Sequence, residues 1–328
     1  MKSYSRTLPR QRGMAIISAL LIAAVVAVIA AGMLTRQSVL TRSLEAEQCR
    51  VQSHAALLGG LEVSRYVLLD SRKRDRLTRP DQPWAQLIQT VVPTPRMGPF
   101  EGRLVDQQGK FNLRNLLANE RVDADQVRSF ERLCEMIGID AGLAQRISQR
   151  VIASYPRVPG PQVSEQSATQ NSFASGRSTS PGYIHKPLPA ALPMLRSLEG
   201  LRGIDGMNEA LLARLDQFVS IIPVNAWVNA NTASAEVLAA MVPGLSLTQA
   251  RAAVAERDSG LWFIDRGDIG NRLRLPQLSI DGLKVGISSE WFLLHGQTRC
   301  EKRRVGMEAL LHSPEQGVPK VIWSRPGV

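Results

Sequence analysis

From Met14 to Leu34 the chain carries no charge, and the apolar pattern beyond that point changes period rather than stopping. The uncharged stretch, MAIISALLIAAVVAVIAAGML, would span about 31 Å as a helix, the thickness of a bilayer's hydrocarbon core. No proline interrupts the chain between Gln11 and Arg79. Leu40, Leu44, Val51, Ala55, Leu58, Leu61 and Leu68 recur at spacings of three, four or seven, which places them in one apolar stripe. The pattern predicts one continuous helix of about 85 Å from Met14 to about Asp70, half in lipid and half laid on a folded body.

The helix should end in the charged run Arg72 to Arg79, and Pro80, Pro83, Pro93, Pro95 and Pro99 punctuate the loops that follow. Phe100 to Leu113 reads as two short strands around a Gln107-Gln108-Gly109 turn, with Gly109 free to take a positive φ. Asn115 to Ala153 and Leu195 to Val219 have helical periodicity. Glu290 to Trp323 is strand-like, with turns expected at Gly296, Gly306 and Ser313 to Gly317. A helical block therefore interrupts a sheet. Within it Pro156 to Gly182 is rich in Ser, Gly, Pro and Gln and reads as a loop.

The block also contains a short repeat: Gly138-Ile139-Asp140, Gly203-Ile204-Asp205 and Gly244-Leu245-Ser246. In each, the glycine closes one helix, the apolar residue packs, and Asp or Ser caps the next, which makes a helix-hairpin-helix-like turn. DNA-binding hairpins of this kind usually carry a second glycine two residues after the first, so that backbone amides approach a phosphate. Here those positions are Asp140, Asp205 and Ser246, and two carboxylates there would repel the phosphate.

A net charge of +11 fits nucleic acid, anionic lipid or acidic partners equally and does not choose among them. The four histidines, His54, His185, His295 and His312, have no ligand spacing, and no phosphate-binding loop or nucleophile pair is present in the sequence. Acid pairs such as Asp123 and Asp125 fit a helix start better than acid–base chemistry. No enzyme is indicated. Of the three cysteines, Cys49 and Cys300 are the pair expected if an oxidising compartment allows one disulfide. Cys134 is then a buried thiol, although spacing alone does not fix the pairing.

Lys2, Arg6, Arg10 and Arg12 precede the apolar run and no acid appears before Glu45, so the positive-inside rule holds the first thirteen residues in the cytoplasm. A secretory signal peptide would have a shorter apolar core and a small-x-small cleavage site. The abrupt start after Arg12-Gly13 instead resembles a type IV pilin or type II secretion pseudopilin. The entry into the helical block, Gly109-Lys110-Phe111-Asn112-Leu113, and the exit Val228-Asn229-Ala230-Asn231-Thr232-Ala233-Ser234-Ala235-Glu236-Val237-Leu238 extend that resemblance. With them nearly the whole chain is similar to the K-type minor pseudopilins of type II secretion.

The resemblance implies an α+β, pilin-like fold: a long N-terminal transmembrane and amphipathic helix on an antiparallel sheet, with a large inserted α-helical domain. The expected divisions are a leader (1–13), a transmembrane helix (14–34), the first part of the pilin-like domain (35–116), the inserted helical domain (117–224, with the loop 156–182), and a hairpin-containing segment with the closing strands (225–328). Gly13 and Met14 become the site of leader cleavage and N-methylation. Ser18 occupies the fifth mature position, where most pilins carry a glutamate. A subunit placed first has no neighbour for that carboxylate to pair with. The implied partners are I-type and J-type minor pseudopilins, prepilin peptidase and the inner membrane, with neither nucleic acid nor a small-molecule substrate. Family members can bind calcium after the first hairpin, but Arg150 to Pro189 holds a single acid, Glu165, so a degraded site and no cofactor are expected. Thr232 is the expected cap of the helix that follows it.

Co-expression with a prepilin peptidase should give a mature chain whose intact mass begins at Met14, and Gly13→Ala should abolish the cut. An uncut wild-type chain beside an active control substrate would remove the pilin reading of the leader.

Overall fold

The computed structural model describes residues 12–90, 98–158, 187–273, 282–301 and 303–327. The leader up to residue 11, most of the loop expected at 156–182, Glu165 and His185 lie outside the described residues. A single helix, α1 (Arg12–Arg74), runs through the whole expected span and stops where Arg72, Lys73 and Arg74 set positive charge against the negative end of its dipole. Asp75 then closes the turn by accepting from the Leu77 N–H at 2.9 Å.

After α1 come β1 (Ile88–Thr90) and β2 (Phe100–Asp106). The chain then leaves for β3 (Phe111–Asn112), β4 (Leu117–Ala118), β5 (Arg121–Val122), α2 (Ala124–Met136) and α3 (Ala141–Ile152). Further on lie α4 (Glu209–Phe218), β6 (Val219–Ser220), β7 (Val228–Asn229), α5 (Ala235–Met241), α6 (Leu247–Asp258), α7 (Arg266–Arg272) and β8 (Val285–Gly286). It returns as β9 (Trp291–Cys300), β10 (Arg303–His312) and β11 (Lys320–Gly327). The main sheet has the order β1-β2-β9-β10-β11, every neighbour antiparallel, so all of the helices after α1 are inserted between two adjacent strands.

Among the described residues two large hydrophobic cores result, with a small third cluster of Ile222, Trp291 and Leu310. One lies between α1 and the sheet and contains Leu57, Leu61, Leu68, Trp84, Phe100, Leu104, Phe292, Leu294 and Leu311. The larger one fills the helical block around Phe111, Phe130, Leu133, Ile147, Leu215, Leu238 and Phe263.

The face that α1 turns to the sheet differs from the predicted stripe. Ser53, Leu57, Gly60, Leu61, Ser64, Leu68 and Ser71 are buried, whereas Leu40, Leu44, Val51, Ala55 and Leu58 point away. Small residues let the helix backbone approach the sheet closely. A Cβ added at Gly60 would sit 2.3 Å from the Phe100 ring, one at Gly102 2.6 Å from it, and one at Gly296 2.7 Å from it. Phe100 is fully buried in this cradle of three glycines.

Several local expectations are corrected by the same packing. Gly296 lies within β9, opposite Gly102 and Met307, and Gly306 lies within β10, opposite Gln297 and Gly327. They are sites of close approach, not turns. The chain reverses instead at Glu301, with φ 53°, and at Gly317, with φ 115°, the latter inside the turn expected at Ser313 to Gly317. Gly109 has no positive φ; a Cβ there would meet Thr232 Oγ1 at 2.9 Å. β2 and β3 do not pair with each other, because β3 pairs in parallel with β6. The start of the segment expected to be helical from Asn115 is a 3-10 turn and the β4–β5 hairpin, whose tip puts Asn119 and Glu120 at positive φ.

Phe100→Ala should lower the unfolding free energy of the full chain in detergent by about 3–5 kcal/mol. Gly60→Ala should cost about 1–3 kcal/mol by overpacking, and adding Phe100→Leu to it should recover part of that loss. Urea unfolding midpoints check both; additive losses in the double variant would mean the two sites do not share the cradle.

Candidate assembly surfaces and the polar junction

Where the chain leaves the sheet and where it returns, one carboxylate gathers the ends. Asp106 closes β2 and is only 7% exposed. Its Oδ2 accepts from Ser289 Oγ at 2.5 Å, Thr232 Oγ1 at 2.6 Å and Asn229 Nδ2 at 3.3 Å, and its Oδ1 from the Gln108 N–H at 2.8 Å. Asn229 also donates to the Thr78 carbonyl at 3.1 Å, and the Ser289 N–H donates to Thr78 Oγ1 at 2.9 Å. The Gln108 side chain reaches the Trp227 carbonyl at 3.0 Å and accepts from the Glu290 N–H at 2.7 Å. The loop after α1, the end of β2, β7 and the entry to β9 thus meet at a single buried group. Burial pushes the Asp106 pKa up, and the four donors offset part of that rise without reversing it.

Both sequence segments that carried the family resemblance start beside this junction, with Gly109 against Thr232 and Asn229 on Asp106, and run from it into the helical block. In the first, Asn112 donates to the Val224 carbonyl at 2.8 Å and accepts from the Ile222 N–H at 3.1 Å, and Phe111 packs on Phe130 with centroids 5.5 Å apart. Lys110 donates to the Asp216 carbonyl, and burial lowers its pKa. In the second, Asn231 bridges to Phe263 through the carbonyl and the N–H, each at 2.9 Å. Thr232 does not cap α5. Its hydroxyl is taken by Asp106, and Ser234 caps the helix by accepting from the Val237 N–H at 3.3 Å.

Two of the three predicted hairpin turns form as expected. Gly138 has φ 72°, and Asp140 caps α3 through the Leu143 N–H at 3.1 Å. Gly244 has φ 80°, and Ser246 forms a reciprocal cap with Gln249. The middle turn is displaced by three residues: Gly206 has φ 83°, and Asn208, not Asp205, caps α4 through the Leu211 N–H at 2.8 Å. Gly206-Met207-Asn208 has the same glycine–apolar–capping pattern as the other two, so it was findable in the sequence. In all three turns a capping side chain already occupies a helix-terminal amide that a phosphate would need.

Met14 and Ser18 lie exposed on α1, which is long and apolar enough to cross a membrane, with mean hydropathy 2.8 over its most apolar window. Above that segment Leu44, Val51, Leu58 and Tyr66 remain exposed, Leu44 and Tyr66 to 67% each, so the helix keeps an apolar outer face after its inner face is covered. Cys49 and Cys300 are joined as a disulfide with Cα atoms 5.9 Å apart, tying this outer helix to the end of β9. Cys134 is a buried thiol whose pKa burial pushes up to about 12. His295 lies 3.3 Å from Glu308, His312 stacks on Trp291 and lies 3.5 Å from Glu290, and His54 is exposed. Among the described residues no group of three or more His, Cys, Asp or Glu is placed to hold a metal ion.

A long helix on an antiparallel sheet, with a helical block inserted between adjacent strands and an N-terminal part apolar enough to cross a membrane, defines an α+β protein of the pilin type. Two family descriptions, both of type II secretion system protein K, match residues 109–224 and 228–288. Type II secretion system protein K of Pseudomonas aeruginosa is 33% identical over 238 residues, covering 70% of this chain and 68% of that one. The Pectobacterium carotovorum protein of the same name is 26% identical over 95% of each chain. The chain belongs to the type II secretion system protein K family. Its fold is also similar to a chain in the crystal structure of the GspK-GspI-GspJ complex of the enterotoxigenic Escherichia coli type 2 secretion system. That match has a TM-score of 0.62 at 19% identity and covers 86% of this chain and 98% of that chain.

Asp106→Ala should orphan buried donors and cost on the order of 3 kcal/mol. Because the folded pKa of Asp106 is raised, its contribution to stability is fully present below the ordinary carboxyl range and is lost as pH rises through the folded value. Asp106→Asn should remove that slope. Urea midpoints measured across the acidic range check it, and an unchanged slope in Asp106→Asn would assign it to another group.

Proposed function

We propose that the chain is a minor pseudopilin that initiates the pseudopilus and occupies its tip, acting by assembly rather than catalysis. Family membership is the observation that carries this reading. The first thirteen residues lie in the cytoplasm, residues 14–34 cross the inner membrane, and the remainder is periplasmic. Prepilin peptidase cuts between Gly13 and Met14 and the new amine is methylated. The partners are I-type and J-type minor pseudopilins, and the exposed outer face of α1 is where their helices lie. That face has the large apolar residues, Leu44, Val51, Leu58 and Tyr66, which the chain's own sheet leaves uncovered. Ser18 in place of glutamate fits a subunit with nothing beyond it, since a carboxylate in the bilayer needs a partner.

The helical block between β2 and β9 is held rigidly on one end of the sheet by the Asp106 junction, and such a bulk fits a cap better than a repeating filament subunit. The stretch 150–189 is too poor in acids for the family's calcium site, so we propose that this member works without calcium. Nucleic-acid binding is the less favoured reading, because the hairpin amides are capped from within.

Deletion of the gene should abolish type II secretion, and the wild-type chain should restore it; normal secretion in the deletion strain would sink the proposal. Tyr66→Glu and Leu58→Glu should leave stability within about 0.5 kcal/mol of wild type. Co-purification with I-type and J-type partners should nevertheless weaken by about tenfold or more, the loss expected from a buried apolar anchor. Unchanged co-purification would move the interface off this face.

A further inference from the structure

The C-terminal end of α1 opens onto a groove of about 1000 Å³. Arg72 frames it. Its guanidinium donates to the Ser289 carbonyl and, at 3.2 Å, to the Ser313 carbonyl, so the helix end, the entry to β9 and the turn after β10 are fixed to one another. The helical block supplies another wall through Val224 to Trp227, the residues that lead into β7. Trp291 also lines the groove, buried and stacked on His312 with centroids 4.5 Å apart. The cleft is therefore formed before anything enters it.

Two of its features are not used by the fold. The first is apolar: Val224 is 46% exposed and Trp227 49% exposed. Trp227 is nevertheless held in place, because its carbonyl accepts from Gln108 Nε2 at 3.0 Å and Arg266 lies over its ring at 4.5 Å. A fixed tryptophan loses little further freedom when a partner covers it, which is why this residue so often anchors an interface.

The second feature is charge. Arg72, Lys73, Arg74 and Arg76 line the groove together with Asp75, Glu290 and Glu315. The acids are engaged from within. Asp75 pairs with Arg79 at 3.1 Å and accepts from the Leu77 N–H at 2.9 Å. Glu290 accepts from the Glu315 N–H at 3.1 Å and lies 3.5 Å from His312, and both glutamates act on the Arg72 guanidinium. Arg74 is paired with Asp70 at 2.8 Å. Lys73 and Arg76 are exposed and have no partner among the described residues, so the charge left uncompensated is positive. The helix dipole explains a cation at Lys73. It explains neither Arg76, which lies past the end of α1, nor the open tryptophan.

The groove begins more than a turn beyond Tyr66, the last large exposed apolar residue of α1, and is a separate surface from that outer face. A nucleic-acid strand would bring a negative charge with every phosphate against three carboxylates in the lining. A polypeptide can instead place carboxylates on Lys73 and Arg76 alone and an apolar side chain on the indole.

We propose that this groove docks an extended, acidic polypeptide segment of another protein, with an apolar or aromatic side chain laid on Trp227 and Val224 and carboxylates on Lys73 and Arg76. Such docking is independent of assembly along α1, so the chain alone has it.

The probe is a fluorescein-labelled dodecapeptide of aspartate, glycine and serine with one central phenylalanine, titrated with the full chain in detergent and read by anisotropy. Replacing its aspartates by asparagine, or its phenylalanine by alanine, should weaken binding by about tenfold or more, and so should Trp227→Ala, the loss expected of an anchor in a formed cleft. Lys73→Gln/Arg76→Gln should weaken it by about tenfold, and high salt should have the same effect on the wild type. Trp227→Phe, which keeps an aromatic wall, should retain most of the binding and so separates a lost anchor from a disturbed frame. Absence of binding at the highest soluble concentration, equal binding of the asparagine peptide, or full binding by Trp227→Ala would each overturn the proposal. Tighter binding of a deoxythymidine dodecamer, lost in the same variants, would make the groove a nucleic-acid site and also overturn it.

Discussion

The organisation of this protein depends on how closely α1 approaches its sheet. Phe100 fills the gap, and Gly60 from the helix with Gly102 and Gly296 from the strands leaves room for its ring. A helix that packs this closely must present small residues inward, hence Ser53, Gly60, Ser64 and Ser71 alongside Leu57, Leu61 and Leu68. The large apolar residues of the same helix are then left on its outer side. In water such a face is costly, so it has to be covered by something else. Close packing inside the subunit and an apolar face outside it are thus two consequences of one constraint.

A second constraint acts at the seam between the sheet and the helical block. Strands β2 and β9 are neighbours, yet the chain makes a long excursion between them, and both ends of that excursion must be fixed if the block is to hold one orientation. A buried carboxylate with four donors does this, because it ties its own strand end at Gln108 to Asn229 and Thr232 in one distant segment and to Ser289 in another, and these donors would be orphaned if the seam opened. The disulfide does the equivalent at the opposite end of the sheet, where Cys49 and Cys300 join helix to hairpin. The domain is therefore clamped at its top and bottom and packed on a glycine cradle between.

Much of this was legible along the chain. The continuous helix follows from an uncharged segment, a sustained period and the absence of proline, all local properties. The turns at Gly138 and Gly244 were legible for the same reason, since a glycine, an apolar residue and a cap in succession are enough to end one helix and start another. The middle turn was misplaced because two such patterns lie three residues apart, and only packing chooses Gly206 over Gly203. The glycines of the sheet were misread as turns. A glycine that makes room for a ring looks the same in sequence as a glycine that reverses the chain.

By itself the sequence determined the membrane-length helix, the α+β class, the interruption of the sheet by helices and the family, because each rests on residue type and spacing over short distances. Tertiary structure alone decided which side of α1 is covered, which glycines are cradle and which are turn, and that Thr232 serves Asp106 rather than its own helix. It also decided which end of the sheet is tied to α1 through Cys49 and Cys300. Each of these depends on what a residue meets from a part of the chain far away in sequence, and no local period encodes that encounter.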